Sequence, residues 1–565
     1  MPGSAADRFL RHDDMVAWLA TVESSYPDLV TVENYGNSAE GRDLVLVTVT
    51  DSGTGRAADK PAYWVDANIH SVEVTGGVAA LHLVHQLVTR FGDDQAVTEL
   101  LQTRTMYIAP RVNPDGVEAA LSASPRHHRS STRFWPWSDG HRWPGLHPID
   151  IDGDGRIRTM RLVDPDGAWM EHPDDSRVMV PVPADGISAS DVLRYRLLTE
   201  GEVADHDGFT IPTPRDPAGL DLNRNFPAGW STSVTGSGDH PLSEPEIDAL
   251  VRAVRARPNI CGYNAYHTFG GVLLRPSSTR PDVSLPHDDL EVWRALGAQG
   301  TTFTGYPCHS VYEDFTPDRN DLMSGAADDW AYDHLGVFSW TTEFWDVIYH
   351  ATGEHAPTTI WWTGPTADQE LAVARWCDEH IPEGYASWVP FDHPQLGDVE
   401  IGGVDMFAVW HNPPTSLLES EIQGHVEFAI HHALTSPRLA LRQFSSRRLA
   451  EHEELWEVTA GVANTGWLPT DVSIHARRNS LVKPIAAEIS GDGLEVVDGA
   501  ARQLHGQLEG RRSLVGAMRN DGTPDRLLCR WIVRCSPGTT VKVTVQHERA
   551  GTTSATIDLG ASNEG

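Results

Sequence analysis

Apolar and polar residues alternate along the chain in a way that predicts an α/β fold. Apolar residues in 12–26 recur at helical spacing, and the segments VTVENYG and DLVLVTVTD that follow alternate as strands do. The apolar segment AYWVDANIH, a helical run from about Val74 to Arg90 and the segment RTMYIAP then continue as strand, helix and strand. This order is typical of a parallel sheet flanked by helices.

Two later changes of pattern divide the chain. Residues 123–219 are rich in Pro, Gly, Asp and Arg and show little apolar periodicity, so we predict a long insertion there. After Pro437, short alternating segments separated by Gly, Asn and Pro turns predict a small antiparallel β-sandwich. We therefore predict an α/β domain with a mixed, centrally parallel sheet flanked by helices over residues 1–436. An all-β sandwich is predicted for residues 437–565.

Charge, apolar segments and cysteine content limit the classes of protein to which the chain can belong. The formal net charge of −35 repels phosphate backbones and anionic lipid, so we expect no nucleic-acid partner. No segment reaches the roughly 18 uninterrupted apolar residues of a membrane-spanning helix, and the first residues lack the pattern of a secretion signal. The five cysteines are odd in number and widely scattered, which does not suit a disulfide scaffold. We expect a cytoplasmic protein with no membrane partner, and the sequence predicts no oligomeric state.

A candidate metal site begins in the segment DANIHSVEVTGG. His70 and Glu73 follow an apolar strand, where parallel α/β sheets place their ligand sites. Imidazole nitrogen and carboxylate oxygen suit zinc, and a catalytic zinc needs three protein ligands and one open position. His267, in YNAYHTFGG, also ends an apolar strand and is the best third ligand. Most isolated His-x-x-Glu pairs bind no metal, so the surrounding sequence has to decide.

The surrounding sequence contains further motifs in a fixed order. HSVE is followed by PRVNPDG, LDLNRNF, SEPE, YHT and TTEFWD, and together they resemble the carboxypeptidase A-like zinc metallocarboxypeptidase family. The resemblance covers roughly residues 10–435. It implies a carboxypeptidase-like fold, one catalytic zinc held by His70, Glu73 and His267, and a peptide substrate with a free C-terminus.

The resemblance also implies catalytic and substrate-binding residues. Glu343, in SWTTEFWD, matches the family's catalytic carboxylate, which takes a proton from water and returns one to the departing amine. Asn223 and Arg224, in LDLNRNF, match the pair that holds the terminal carboxylate, a group that guanidinium binds through two hydrogen bonds. These two residues favour a carboxypeptidase over other zinc hydrolases.

Two further family residues align less directly. The family places an arginine that stabilises the oxyanion between the first zinc pair and the Asn-Arg pair. The segment DIDGDGRIRTMRLVDPDG replaces the usual stretch, so Arg161 is our prediction and Arg158 the alternative. Tyr312, in HSVYEDF, matches a tyrosine that closes over the substrate, and a buried structural tyrosine is the alternative.

The segment GAADDWAY resembles the family segment that lines the pocket for the terminal side chain. The register places Asp328 there, and a carboxylate in that pocket would select Lys or Arg. A shift of one residue would give Asp329 this role instead.

Three alternating aspartates form a candidate calcium site. Asp150, Asp152 and Asp154 precede Gly155 as in the first half of an EF-hand loop. The twelfth position is Arg161 instead of glutamate, which excludes a complete EF-hand. A partial calcium site closed by a remote carboxylate and a solvated Asp/Gly turn remain equal alternatives.

The combined prediction is a zinc metallocarboxypeptidase that removes C-terminal residues, with a preference for basic ones. The first alternative is a zinc deacylase or amidase that acts on acylated amino acids or cell-wall peptides. The second is a zinc-binding interaction module without catalysis. Retention of Glu343 beside three zinc ligands argues against the second.

Overall fold

A computed structural model of the chain describes residues 3, 5–136, 139–183, 192–449, 454–514 and 521–560. The first part of the chain supplies helices and strands of a large central sheet. They are α1 (His12–Ser25), β1 (Val30–Asn37), β2 (Asp43–Val49), β3 (Ala62–Ala67), α2 (Val74–Arg90), α3 (Gln95–Thr103), β4 (Thr105–Ala109) and α4 (Pro114–Ala120).

The predicted insertion adds short strands outside the central sheet. They are β5 (Gly145–Pro148), β6 (Thr159–Val163), β7 (Trp169–His172), β8 (Asp175–Pro181), β9 (Tyr195–Thr199) and β10 (Gly201–Ala204).

The α/β pattern then resumes and continues to the last long helix. Its elements are α5 (Pro245–Arg255), β11 (Ile260–Thr268), β12 (Val272–Arg275), α6 (His287–Thr304), β13 (Cys308–Ser310), α7 (Ala327–Trp330), β14 (Phe338–Phe344), α8 (Val347–Thr352), α9 (Ile360–Thr363), α10 (Ala367–His380), β15 (Tyr385–His393), β16 (Gly397–Val404) and α11 (Leu418–Leu434).

The central sheet has eight strands in the spatial order β1-β2-β4-β3-β11-β14-β12-β13. Strands β4, β3, β11 and β14 are parallel neighbours, whereas β1 and β2 pair antiparallel at one edge and β12 pairs antiparallel with β14. Every residue of β3, β4 and β11 is buried, as expected for strands covered by helices on both faces. The predicted mixed, centrally parallel sheet is therefore confirmed.

Side chains that alternate along β3 divide the core into two layers. Tyr63 and Val65 pack in the cluster that holds α2, α6 and α11, whereas Ala62 and Trp64 pack in the cluster that holds α5 and α7. This alternation follows from the pleat of a strand, which turns successive side chains to opposite faces. Helices therefore cover both faces of the sheet, and its carboxyl edge is left for the loops that carry the site.

The insertion does not form a separate body. Four of its strands, β6 to β9, join two later strands in a six-stranded sheet with the order β15-β16-β6-β9-β7-β8, whereas β5 and β10 pair with each other in a two-stranded sheet. The pairing of β16 with β6 is antiparallel and places Glu400 opposite Arg161. We call this six-stranded sheet the second sheet. None of the described helices is long and apolar enough to cross a membrane.

The C-terminal part is a sandwich of two four-stranded sheets, ordered β17-β18-β22-β20 and β21-β19-β23-β24. The strand pairs are antiparallel, and inward residues such as Val458, Trp531 and Val543 fill the space between the sheets. The predicted β-sandwich is confirmed. Its elements are β17 (Leu439–Arg448), β18 (Leu455–Asn464), α12 (Ile474–Arg478), β19 (Ile485–Ser490), β20 (Glu495–Asp498), β21 (Arg502–His505), α13 (Arg511–Leu514), β22 (Arg526–Arg534), β23 (Thr540–His547) and β24 (Gly551–Asp558).

Candidate active site

The three predicted metal ligands meet at the carboxyl edge of the central sheet. His70 Nδ1 lies 2.7 Å from Glu73 Oε1, His267 Nδ1 lies 3.0 Å from Glu73 Oε2, and the two Nδ1 atoms are 3.2 Å apart. All three side chains are buried, and one ligand atom from each lies within 4.8 Å of the others. The structure therefore brings together the residues that the sequence singled out.

The donor set fits zinc. His70 Nε2 lies 3.1 Å from Asp221 Oδ1, so this nitrogen carries the ring proton and the lone pair of Nδ1 faces the cluster. Nδ1 of His70, Nδ1 of His267 and the carboxylate of Glu73 thus converge on one point. Nitrogen and oxygen ligands of this kind suit zinc. Asp221 is an orienting residue that the sequence analysis did not identify.

Two glycines explain how Glu73 reaches this position. A Cβ on Gly76 would lie 2.7 Å from the carbonyl oxygen of Tyr266, and a Cβ on Gly77 would lie 2.2 Å from Oδ1 of Asn68. Glycine therefore lets the first turn of α2 approach the end of β11 closely. That approach sets Glu73 beside His267.

Glu343 lies next to the metal cluster. It is on β14, directly opposite His267 in the parallel pairing of β11 and β14. Its Oε2 is buried and has no hydrogen-bond partner among the described residues. Burial raises the pKa of Glu343 to about 8; the charges of Glu73 and Asp328 also raise it, and His267 and Arg129 lower it. The carboxyl group of Glu343, with no protein partner on Oε2 among the described residues, therefore stands beside the metal cluster.

Asn223 and Arg224 form another wall of the same pocket. They lie in a short helical turn, Leu222–Arg224, whose first N–H groups are capped by Asp221. Asn223 Oδ1 accepts from the N–H of Ala327 at 2.9 Å, and Arg224 Nη1 donates to the carbonyl of Asn223 at 2.7 Å. The structure therefore brings both residues to the pocket beside the metal cluster.

The two adjacent aspartates point to different places. Asp328 lines the pocket, and its buried Oδ2 has no partner within the described chain; burial raises its pKa. Asp329 instead accepts from the N–H of Ser278, with 3.0 Å to each of its oxygens. Of the two aspartates, Asp328 is the one that lines the pocket, and its contact with a substrate side chain stays a prediction.

Tyr312 does not line the pocket. It lies in the turn Val311–Phe315, and the two ends of that turn are pocket residues. The guanidinium of Arg319 lies over the Tyr312 ring, 4.0 Å from the ring centroid. Tyr312 thus lies beside the pocket and packs against Arg319, so its closing over a substrate remains a prediction.

The prediction for Arg161 needs correction. Its guanidinium is ion-paired with Glu171 at 2.9 Å and Glu400 at 2.7 Å, within the second sheet. It also lies 4.3 Å from the ring of Tyr195 and 4.4 Å from that of Trp388. Arg161 is not among the pocket residues, because β6 belongs to the second sheet instead of the central one.

The alternative, Arg158, is also outside the pocket. Its Nε lies 3.1 Å from Asp154 Oδ2, and its Nη1 donates to the carbonyl of Glu383 at 3.0 Å. The first contact lies within the insertion, and the second joins the insertion to the segment before β15.

Arg129 is the arginine that reaches the site. Its Nε lies 3.1 Å from Asp221 Oδ2 and its Nη1 lies 3.5 Å from Glu73 Oε1, while half of its side chain is exposed. It lies between Glu73 and Asn223 in sequence, as the family order requires. The sequence signal for Arg129 is the basic segment RHHRSSTR, which follows NPDG.

The pocket has a volume of about 200 Å³, and part of its wall comes from late in the chain. Trp361 and Trp362, on α9, and His411, in the turn Phe407–His411 after β16, are among the residues that line it. Burial lowers the pKa of His411 to about 4, so its imidazole is neutral at neutral pH. The sequence predicts none of these residues for the site: the aromatic pair in IWWTG favours burial, and no motif surrounds His411.

The candidate calcium residues form a turn held by its own backbone. The carboxylates of Asp150, Asp152 and Asp154 approach within 4.8 Å of one another but are partly or fully exposed. Asp150 accepts from the N–H groups of Gly153 at 2.7 Å and Gly155 at 2.9 Å. These bonds are those of a solvated Asp/Gly turn, and calcium receives no support from them.

Two protein-family models match most of the chain. A model described as zinc carboxypeptidase matches residues 15–144 and 160–352, together more than half of the chain. A second model, described as a domain of unknown function, matches residues 438–558. The metal ligands, Arg129 and Glu343 lie within the first match, whereas Trp361, Trp362 and His411 lie beyond it.

Individual relatives are distant. Rat carboxypeptidase A2 is 23% identical over 365 residues, which cover 63% of this chain and 66% of that protein. Bovine carboxypeptidase B is 23% identical over 362 residues, or 61% of this chain and 64% of that protein. The chain thus spans less than two thirds of the length of these relatives.

Solved structures show similarity at a comparable level. The carboxypeptidase A of Helicoverpa armigera has a TM-score of 0.41 and 18% identity, covering 67% of this chain and 76% of that one. Bovine thrombin-activatable fibrinolysis inhibitor, in complex with tick carboxypeptidase inhibitor, has a TM-score of 0.38 and 19% identity, covering 66% of this chain and 98% of that one.

Proposed function

We propose, from the premise that this chain belongs to the zinc carboxypeptidase family, that it is a zinc-dependent hydrolase that removes C-terminal residues from peptides. The observation that supports this most directly is one pocket at a zinc-type ligand set, lined by His70 and Glu73 of that set, by the guanidinium groups of Arg129 and Arg224, and by Glu343, whose Oε2 has no partner among the described residues. Each of these groups serves one need of the reaction.

The hydrolytic step needs a proton carrier next to the metal ligands. Zinc held by His70, Glu73 and His267 would supply a Lewis acid that lowers the pKa of water and polarises a carbonyl. Glu343 accepts the proton of the attacking water on Oε2 and passes a proton to the departing amine. A dication beside Glu343 lowers the pKa of this carboxyl from its metal-free value, because opposite charge favours the ionised form.

Arg129 stabilises the negative charge that develops on the carbonyl oxygen. One side of its guanidinium is fixed by Asp221, which also orients His70, so Arg129 and the metal ligand are positioned by the same carboxylate. The exposed half of the side chain faces the pocket and can donate to the oxyanion.

Arg224 and Asn223 hold the terminal carboxylate of the substrate. Within the described chain, Arg224 donates through one guanidinium nitrogen, Nη1, to the carbonyl of Asn223. Its planar fork can therefore bind a carboxylate through two hydrogen bonds, which makes a free C-terminus part of recognition.

Asp328 gives the pocket its preference for basic terminal residues. An unpaired buried carboxylate is costly, and a bound Lys or Arg side chain supplies the missing cation. The raised pKa of Asp328, caused by burial, reflects the same cost.

The test is hydrolysis of matched peptides by zinc-loaded protein. Peptides ending in Lys, Arg, Leu or Phe are offered with a free or an amidated C-terminus, and Glu343→Gln is the control. We expect release of the terminal residue from free C-termini only, with loss in the control. Equal cleavage of amidated peptides would instead show an amidase or deacylase, and no cleavage by zinc-loaded protein would show a non-catalytic module.

A further inference from the structure

The segment that carries Asp328 is held at its far end by the C-terminal sandwich. Helix α7 runs directly into a π-helical turn, Ala331–Leu335, and ends at Gly336 with a φ of 66°. At its start, the N–H of Ala327 is fixed by Asn223 at 2.9 Å. Together these elements form residues 327–336, which we call the pocket segment.

Three carbonyls at the end of the pocket segment accept hydrogen bonds from the sandwich. Ser473 Oγ donates to the carbonyl of Gly336 at 2.7 Å, and His475 Nε2 donates to that of Asp333 at 3.0 Å. Arg549 Nη2 donates to the carbonyl of Leu335. The last carbonyls of a helix have no partner within the helix, so an outside donor fixes where it ends.

Packing reinforces these bonds. The rings of Tyr332 and His475 have centroids 4.7 Å apart, and a Cβ on Gly336 would lie 2.5 Å from Cβ of Ala476. The backbone at Gly336 therefore lies in contact with α12, and the glycine is required both by that approach and by its positive φ.

A buried carboxylate joins the two parts. Asp289, on α6, is 1% exposed; it accepts from the Tyr332 hydroxyl at 2.8 Å and from the N–H groups of Ile474 at 2.7 Å and His475 at 2.9 Å. Asp289 thus caps the first turn of α12 and holds the pocket segment in the same set of bonds.

The position of Asp328 depends on this backbone. Its Oδ2 has no hydrogen-bond partner among the residues described, so no protein group on that atom fixes the direction of the side chain. We infer that the C-terminal sandwich is a positioning module that fixes the pocket segment and thereby sets the selectivity for the terminal residue. The inference rests on the proposed function and gives a role to the part of the chain that matches a domain of unknown function.

The test uses the full-length zinc-loaded protein with Asp289→Asn. The amide group of Asn can replace only one of the two carboxylate oxygens as an acceptor, so at least one bond to α12 or Tyr332 is lost. His475→Phe is the second variant, because it keeps the ring contact with Tyr332 and loses the bond to Asp333. Arg104→Met is the matched control: Arg104 Nη2 donates to the carbonyl of Ser436 at 2.8 Å, a contact near the start of the sandwich that does not touch the pocket segment.

We expect kcat/KM for the preferred terminal residue, relative to a disfavoured one, to fall about fivefold to tenfold in Asp289→Asn and His475→Phe, through KM, with kcat within about twofold. We expect backbone amides of the pocket segment to exchange about tenfold faster in both variants, and unchanged selectivity and exchange in Arg104→Met. An unchanged selectivity ratio in both variants, or an equal change in Arg104→Met, would overturn the inference.

Failure of the proposed function is recognised separately. If the wild-type protein cleaves no peptide, hydrogen exchange of the backbone amides of Ala327–Trp330 tests the positioning role alone. Faster exchange in Asp289→Asn than in Arg104→Met supports positioning of this part of the pocket by the sandwich. Equal exchange in the two variants refutes it.

Discussion

Replacing each of two arginines by methionine distinguishes a catalytic arginine from a structural one. Arg129 is proposed to stabilise the oxyanion, whereas Arg161 holds the second sheet together, so Arg129→Met and Arg161→Met should have opposite effects. Loss of one oxyanion donor costs about 2.7–4 kcal/mol, or about 10²–10³ in kcat. Asp221 keeps its bonds to His70 and to the N–H of Asn223 in Arg129→Met, so the metal ligands stay oriented and the loss falls on the reaction.

Arg161→Met should lower stability instead. Its two ion pairs have partners whose side chains are 40% and 33% exposed, and each such pair contributes about 0–1 kcal/mol. Its two aromatic contacts contribute about 0.5–1 kcal/mol each. The total is about 1–4 kcal/mol in the free energy of unfolding, with kcat unchanged within about twofold.

The assay is steady-state hydrolysis of one free-C-terminus peptide, with zinc content and thermal unfolding measured for each variant. Zinc content distinguishes a lost oxyanion donor from a lost metal. If Arg161→Met reduced kcat as much as Arg129→Met while retaining zinc and a normal melting temperature, the assignment of these arginines would be wrong.

Three more predictions follow from the pocket. Asp328→Asn should reduce kcat/KM for peptides ending in Lys or Arg by about 10²-fold relative to those ending in Leu, as measured with paired peptides. Chelation of the metal should abolish activity and lower the melting temperature, because an ion that binds only the folded state stabilises it; zinc should restore both. In metal-free protein, burial raises the pKa of Glu343 from 4.5 to about 8. The folded state therefore holds a proton that the unfolded chain releases, and stability from this group is present below pH of about 4.5 and lost as the pH rises through about 8. Unfolding by denaturant at several pH values should show this loss in the wild type and not in Glu343→Gln.

The central sheet and the metal ligands could be predicted because their signals are local. Strands β3, β4 and β11 are continuous apolar runs, and His70 and His267 directly follow or end such runs. Parallel neighbours bring their carboxyl ends to one edge, so sequence position alone determines that these side chains meet. Asp328 could be placed for a similar reason, since it lies in a short motif before β14.

Arg129 could not be placed in the same way. It lies in an irregular segment, where no periodicity tells which side chain turns toward the sheet, and its position depends on Asp221, 92 residues later. The same holds for Trp361 and His411, which reach the pocket only because elements beyond the central sheet fold back over it.

Two arginines of the insertion, Arg156 and Arg161, link it to the part of the chain that supplies His411 to the pocket. Arg161 joins β6 to Glu400 on β16, and Arg156 is ion-paired with Asp405, which directly follows that strand. The turn that ends at His411 begins two residues after Asp405. The insertion is therefore ion-paired with residues that directly precede the turn carrying His411. Arg156 and Arg161 are thereby engaged in that attachment. Arg129, from the part of the insertion that precedes β5, instead contacts Asp221 and Glu73 and lines the pocket.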